Sequence, residues 1–128
     1  MKPTILVIDD ESSVLKVIEK RLQTYNCKII TGTSGEEALD LTKKHNPNLI
    51  IMDVMMPPPN GFQVCRMLKD NPEYKKIPII LLTAKSTESD KFWGTEAGAD
   101  AYLTKPYNAD ELLEQITILI NNKLFKKS

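Results

Sequence analysis

Two rhythms of apolar and polar positions run through this chain: short unbroken apolar runs, and longer stretches where apolar residues recur every three or four positions. The runs are Ile5-Leu6-Val7-Ile8, Leu49-Ile50-Ile51-Met52, Ile79-Ile80-Leu81-Leu82 and Ala101-Tyr102-Leu103. Bounded by turn residues, each fits a strand buried on both faces. Cys27-Lys28-Ile29-Ile30-Thr31 is more polar and predicts an edge strand closed by Gly32. In the second rhythm, Val14, Ile18 and Leu22 fall on one face with Leu15 and Val17 beside them, predicting an amphipathic helix from about Ser12 to Tyr25.

Capping signals place the other helices. Ser34-Gly35-Glu36-Glu37 reads as a capping box opening a helix to about His45, stopped by Asn46-Pro47. A third helix is expected from about Asn60 to Asp70, ended by Asn71-Pro72. Thr87 with Asp90 opens a fourth, containing Phe92 and Trp93 as packing residues and finishing near Gly98. Asn108 with Glu111 caps the last, whose inner stripe is Leu112, Leu113, Ile116, Leu119 and Ile120. Five strands alternating with five helices through short connections predict an α/β fold, a right-handed doubly wound parallel sheet with helices on both faces. The expected strand order is the flavodoxin-like 2-1-3-4-5, with the first and third strands flanking the switch point.

Composition narrows the picture without changing it. At 128 residues the chain reads as one domain, with a core over about 4–122 and a basic tail at 123–128 that is solvated or begins a linker. Seventeen basic and seventeen acidic residues cancel, so no global field holds nucleic acid. Cys27 and Cys65 lack the paired spacing of a zinc or redox motif and read as reduced packing cysteines. His45, the sole histidine, sits at a helix end and reads as a surface or capping residue. No apolar run approaches the roughly 18 residues needed to cross a bilayer, so a cytoplasmic protein without membrane contact is expected.

The chemistry gathers where the runs stop. Ile8 is followed by Asp9-Asp10-Glu11, Met52 by Asp53, Leu82 by Thr83-Ala84 and Leu103 by Thr104-Lys105-Pro106. In a parallel sheet these ends converge, and ligands bind outside them. Asp9, Asp10 and Asp53 would then share one crevice with the Thr83 hydroxyl and the Lys105 ammonium. Carboxylates about 5 Å apart repel by roughly 3 kcal/mol per pair at an effective dielectric near 20, which implies a divalent cation. All-oxygen ligands and the lack of a twelve-residue calcium loop favour magnesium, with manganese the alternative. Such a metal recruits phosphate, and Lys105 is a point-charge phosphate binder, so Asp53 is the candidate to become an aspartyl phosphate.

From Ile5 to about Asn121 the chain resembles the receiver domain of two-component response regulators. Asp9-Asp10 resembles the family's acidic pair, Asp53 its phosphoacceptor with Met56-Pro57 and Gly61 at the usual spacing, Thr83-Ala84 its switch hydroxyl, and Lys105-Pro106 its Lys-Pro. The resemblance implies that Asp10, Asp53 and the Met55 backbone carbonyl ligate magnesium directly while Asp9 acts mainly through water. It implies a cis Lys105-Pro106 bond, and a Tyr102 that moves inward with Thr83 on phosphorylation. It further implies a phosphoryl donor, a histidine kinase or phosphotransfer protein, and a downstream protein partner read through the fourth helix, fifth strand and fifth helix. Pro58 and Pro59 depart from the family pattern and read as a stiff spacer. Lys91-Phe92-Trp93-Gly94 resembles stand-alone receivers of pilus-linked, chemotaxis-like systems.

Three rivals lose on particular residues. An aspartyl-phosphate-forming hydrolase of the haloacid dehalogenase type needs a second Asp where Met55 stands. A flavin carrier on the same fold needs a Ser/Thr/Gly-rich phosphate loop where Asp9-Asp10-Glu11 stands. A receiver-like binding module that is never phosphorylated would not need the complete acid, Thr and Lys set. The expectation is therefore a switch, not an enzyme, whose own chemistry is limited to gaining and losing a phosphoryl group on Asp53.

Overall fold

The computed structural model describes residues 2–84, 96–121 and 124–127. Strands β1 (Thr4–Ile8), β2 (Lys28–Gly32), β3 (Leu49–Asp53), β4 (Ile79–Thr83) and β5 (Ala101–Thr104) form one parallel sheet in the order β2-β1-β3-β4-β5. Among the described residues the helices are α1 (Ser12–Leu22), α2 (Gly35–His45), α3 (Gly61–Lys69) and α4 (Ala109–Ile120). The helix expected from Thr87, with Asp90, Phe92 and Trp93, lies largely outside the described residues. No helix among them is long and apolar enough to cross a membrane.

The central strands carry unbroken apolar runs, at 5–8, 49–52 and 79–82, because both faces of the sheet are covered, and their alternation decides which face each side chain serves. Ile5, Val7, Leu49, Ile51, Ile80 and Leu82 pack with Leu15, Ile18 and Leu22 of α1 and Leu112, Ile116 and Ile120 of α4. Leu6, Ile8, Ile50, Met52, Ile79 and Leu81 pack on the other face with Ala38 of α2 and Val64, Cys65 and Leu68 of α3. Burying one such aliphatic side chain stabilises by about 1.5 to 3 kcal/mol, so these two layers supply the bulk of the driving force. Cys65 is fully buried, its Sγ donating to the Ala97 carbonyl at 3.4 Å, and burial pushes its thiol up to about 12. Both cysteines are unpaired, as expected.

The edges of elements move by a residue or more for local reasons. Gly32 belongs to β2, paired with Ile8, rather than lying beyond it. Helix α1 ends at Leu22, not Tyr25, because Tyr25 turns out of the helix to stack on Phe125 with ring centroids 4.9 Å apart. Ser34 caps α2 by accepting from the Glu37 amide at 3.1 Å, but Glu37 reaches one residue further back than a capping box requires. Its Oε1 takes the Thr33 amide at 2.9 Å and the Thr33 hydroxyl at 2.6 Å, and these bonds hold its carboxyl below the usual range. Asn46 adopts the left-handed conformation at the end of α2, with φ 45.

Within the expected solvated tail at 123–128, the described residues 124–127 instead pack back on the domain. Phe125 is 6% exposed, the Asn26 amide donates to the Lys126 carbonyl at 2.9 Å, and Tyr25 and Lys127 form an antiparallel bridge. Burial of one aromatic ring outweighs the solvation of its lysine neighbours, whose ammonium groups stay exposed.

Candidate functional site

Strand register brings the chemistry together. Ile8 pairs with Met52, so Asp9 emerges beside Asp53. Asp53 pairs with Leu82, Thr83 with Thr104, so Thr83 and Lys105 emerge on the other side of Asp53. Asp9 and Asp53 are 1% and 4% exposed, whereas Asp10 stands at the exposed mouth. Ligand oxygens of Asp9, Asp10 and Asp53 all lie within 4.8 Å of one another.

Lys105 crosses this cluster. Its Nζ is 3.0 Å from Asp53 Oδ1 and 3.5 Å from Asp9 Oδ2. The Lys105-Pro106 bond is cis, as the resemblance implied, and Pro58-Pro59 is cis too. The Lys105 amide donates to the Thr83 carbonyl, joining the two strand ends below the side chains. Asp9 is held from the opposite side, where its Oδ1 accepts the Glu11 amide at 2.9 Å.

Burial dominates the electrostatics. Desolvation raises the carboxyl pKa of both Asp9 and Asp53; the Glu11 amide and Lys105 offset it only in part at Asp9, and Lys105 only in part at Asp53. Burial also works against the charge on Lys105, but its bond to Asp53 and the fields of both acids leave it above its ordinary value. One ammonium therefore faces three carboxylates, two of them buried, so acidic groups outnumber the cation in the cluster.

The loop after β3 is built around the backbone. The Val54 carbonyl accepts the amides of Met56 and Gly61 at 3.0 and 3.1 Å, folding the proline-rich segment over the end of the strand. A Cβ on Gly61 would lie 2.4 Å from the Asp53 carbonyl oxygen and 2.8 Å from Val54 Cα, and neither backbone atom can give way. Asn60 then caps α3 in a full capping box with Gln63, with bonds of 3.0 and 2.8 Å. Met55 lies within this loop and is 55% exposed. Thr83 is buried, and Tyr102, opposite Leu81, is half-buried against the α2 and α3 layer.

These features are those of a known family. A family model described as the response regulator receiver domain matches residues 5–117. The chain belongs to that family. This receiver is 44% identical over 115 residues to the ycf27 regulator of Porphyridium aerugineum, covering 90% of this chain and 47% of that one. Protein PilG of Pseudomonas aeruginosa is 38% identical over 112 residues, 88% of this chain and 83% of its own. The chemotaxis protein CheY4 of Vibrio cholerae superposes with a TM-score of 0.86 at 30% identity, covering 93% of this chain and 99% of that one. The receiver spans about half the length of ycf27 and its like.

The donor set of this receiver fits a hard divalent cation. The three candidate ligands are carboxylates, two buried and one at the mouth, the all-oxygen donor set such a cation prefers. One residue that the sequence reading passed over also borders the site. Burial raises the hydroxyl pKa of Tyr107, which lies in the fields of Lys105, Asp9 and Asp53. Its only sequence signal is its place one residue beyond Pro106.

Proposed function

We propose that this receiver is a phosphorylation-activated switch of a two-component relay, taking a phosphoryl group on Asp53 from a histidine kinase or phosphotransfer protein. The observation that carries the reading is the bridge from Lys105 to Asp53 and Asp9, at 3.0 and 3.5 Å, inside a cluster of three carboxylates. An Asp53 carboxylate oxygen attacks phosphorus. The new P–O bond forms as the P–N bond to the donor imidazole breaks, and the imidazole nitrogen keeps the electron pair. Lys105 offers its ammonium to a phosphoryl oxygen, stabilising charge that its bond to Asp53 had balanced before transfer. Asp9, Asp10, Asp53 and the Met55 backbone carbonyl would hold magnesium, or manganese, whose part is to neutralise charge on the transferred group.

The buried Thr83 hydroxyl donates to a phosphoryl oxygen of the product, and Tyr102 follows it inward. That bond contributes about 1 to 3 kcal/mol in one state and not the other, enough to shift the population tenfold or more. The shift is read by a protein partner at β5, α4 and the fourth helix that the sequence leads one to expect. The domain's own chemistry stops at gaining and losing the phosphoryl group. A hydrolase reading has no support at Met55, where a second acid is needed.

Incubation with acetyl phosphate and magnesium, followed by intact-mass measurement, tests the assignment. The expected result is a gain of one phosphoryl group that is lost in Asp53→Asn and on chelating the metal. An unchanged gain in Asp53→Asn would overturn it.

A further inference from the structure

The end of the sheet opposite Asp53, where strands begin and helices finish, divides into a balanced half and a basic half. On the α3 side Arg66 pairs with Asp70 at 3.1 Å and Lys69 with Asp100 at 2.7 Å, and exposed Lys75 and Lys76 are matched in number by exposed Glu73 and Glu96. At the β2 edge there is no such match. Lys20 and Arg21 lie in the last turn of α1, Lys43 and Lys44 in the last turn of α2, and Lys28 opens β2. The Lys28 amide donates to the Pro3 carbonyl at 2.8 Å, which sets Lys2 close by. The bond from the Asn26 amide to the Lys126 carbonyl and the Tyr25–Lys127 bridge add the two lysines of the strap 124–127. All eight cations are exposed, and none forms an ion pair among the described residues. The acids of these elements near this end are Glu19 and Asp40, whereas Glu36 and Glu37 lie in the first turn of α2, at its far end. Cations at helix C-termini complement the macrodipole, which accounts for four of the eight. Lys2, Lys28, Lys126 and Lys127 have no helix end to complement, and in a chain of zero net charge their gathering is a matter of placement.

We infer that this basic edge holds the phosphate backbone of double-stranded nucleic acid without reading its sequence. The cations run across three layers, from α1 and the strap through the strand ends to α2, a stripe of about 20 Å at roughly 10 Å per layer. A duplex presents one negative charge per about 1.7 Å of its axis, so a stripe of that length meets enough phosphates to engage most of them. A membrane would press the whole end of the domain against anionic lipid, including the exposed acids of the α3 side, whereas a linear polyanion can follow the basic edge and miss them. A single strand would call for aromatic platforms under its bases, and the Tyr25 ring at this edge is already stacked on Phe125. Seven of the eight cations are lysines, compact point charges that suit backbone contact better than bidentate reading of base edges. The inference does not rest on the phosphoacceptor reading, since Asp53 lies at the other end of the sheet.

The probe is a fluorescein-labelled DNA duplex of about 20 base pairs, made in two unrelated sequences and titrated with the intact chain. At about 50 mM salt its anisotropy should saturate with equal affinity for both sequences, and the affinity should fall by about a hundredfold at about 200 mM, as expected for four or so phosphate contacts. Lys2→Glu with Lys28→Glu should weaken binding by about tenfold or more at about 50 mM salt. Lys75→Glu with Lys76→Glu, the same change in net charge on the balanced side, should weaken it by about twofold or less. Both double variants should keep the parent's amide spectrum away from the substituted residues, which separates loss of binding from loss of fold. Phosphorylation by acetyl phosphate should be the same in all three proteins, so a failure here and a failure of the Asp53 assignment are distinguishable. Equal losses in the two double variants, no binding at the lower salt, tighter binding of a single strand of the same length, or a preference for phosphatidylserine vesicles over the duplex would each overturn the inference.

Discussion

Two lysines, each tied to a carboxylate, sit at opposite ends of strands β4 and β5, and they do different things. Lys69 Nζ lies 2.7 Å from Asp100 Oδ2, 2.8 Å from the Ile77 carbonyl and 3.2 Å from the Lys75 carbonyl. The same Asp100 oxygen accepts the Ile79 amide at 2.8 Å. One cation meets one anion there, and backbone groups fill the remaining valences. At the other end Lys105 meets two buried carboxylates at 3.0 and 3.5 Å, with Asp10 completing the cluster. The difference is charge balance. A saturated, neutral pair fastens α3 to the start of two strands, whereas an unbalanced cluster is costly until a cation or a phosphoryl group changes its charge.

Removing each lysine should separate the two roles. Lys105→Met should slow phosphorylation of Asp53 by acetyl phosphate about a hundredfold, equivalent to about 2.7 kcal/mol of barrier, as expected for loss of one charge-stabilising donor. In magnesium its unfolding free energy should move less than that of Lys69→Met. Phosphate incorporation over time and urea unfolding measure the two quantities. A Lys105→Met protein phosphorylated at the normal rate would make both lysines structural and erase the contrast.

Lys69→Met should do the reverse, leaving phosphorylation of Asp53 unchanged while destabilising the fold. Breaking a fully buried pair costs about 3 to 5 kcal/mol, and a discount to about 2 kcal/mol is appropriate because the Asp100 side chain is 35% exposed. The double variant Lys69→Met with Asp100→Leu should recover part of the loss, since no charge is then left without its partner. A single variant as stable as the parent in urea would show that the backbone contacts alone hold this corner.

What the chain discloses of these two corners differs for a physical reason. The acid cluster was legible because each member follows an apolar run directly, and a parallel sheet must bring such ends together. Asp9, Asp53, Thr83 and Lys105 were therefore placed by local pattern plus topology. Lys69 and Asp100 carry no such mark, being separated by 31 residues and joined only by how α3 lies on the sheet. The same holds for Phe125, whose partner Tyr25 lies at the far end of the chain. The Asn60-Gln63 capping box was a local signal overlooked behind the prolines, and Glu37 chose Thr33 because that residue offers an amide and a hydroxyl together.

The smallest effect is the one that tests the imbalance itself. The folded-state pKa values of Asp53 and Asp9 lie above 3.8, chiefly through desolvation, so over some interval above 3.8 the folded protein binds more protons than the unfolded chain. Their contribution to stability is then complete below 3.8 and is lost as pH rises through the folded values. Lys105 is shifted above 10.5, so its contribution is constant throughout the acid range and fades only above that value. Urea unfolding of the metal-free protein and of Asp53→Asn, from about pH 4 to about pH 7.5, isolates the Asp53 share because the other titrating groups largely cancel in the difference. The gap should widen in favour of Asp53→Asn as pH rises. Magnesium at about ten times its dissociation constant should add about 1.4 kcal/mol to the parent, less to the variant, and so narrow the gap at neutral pH. A difference that stays flat with pH, or one that magnesium leaves untouched, would mean that Lys105 already balances its acids as completely as Lys69 balances Asp100.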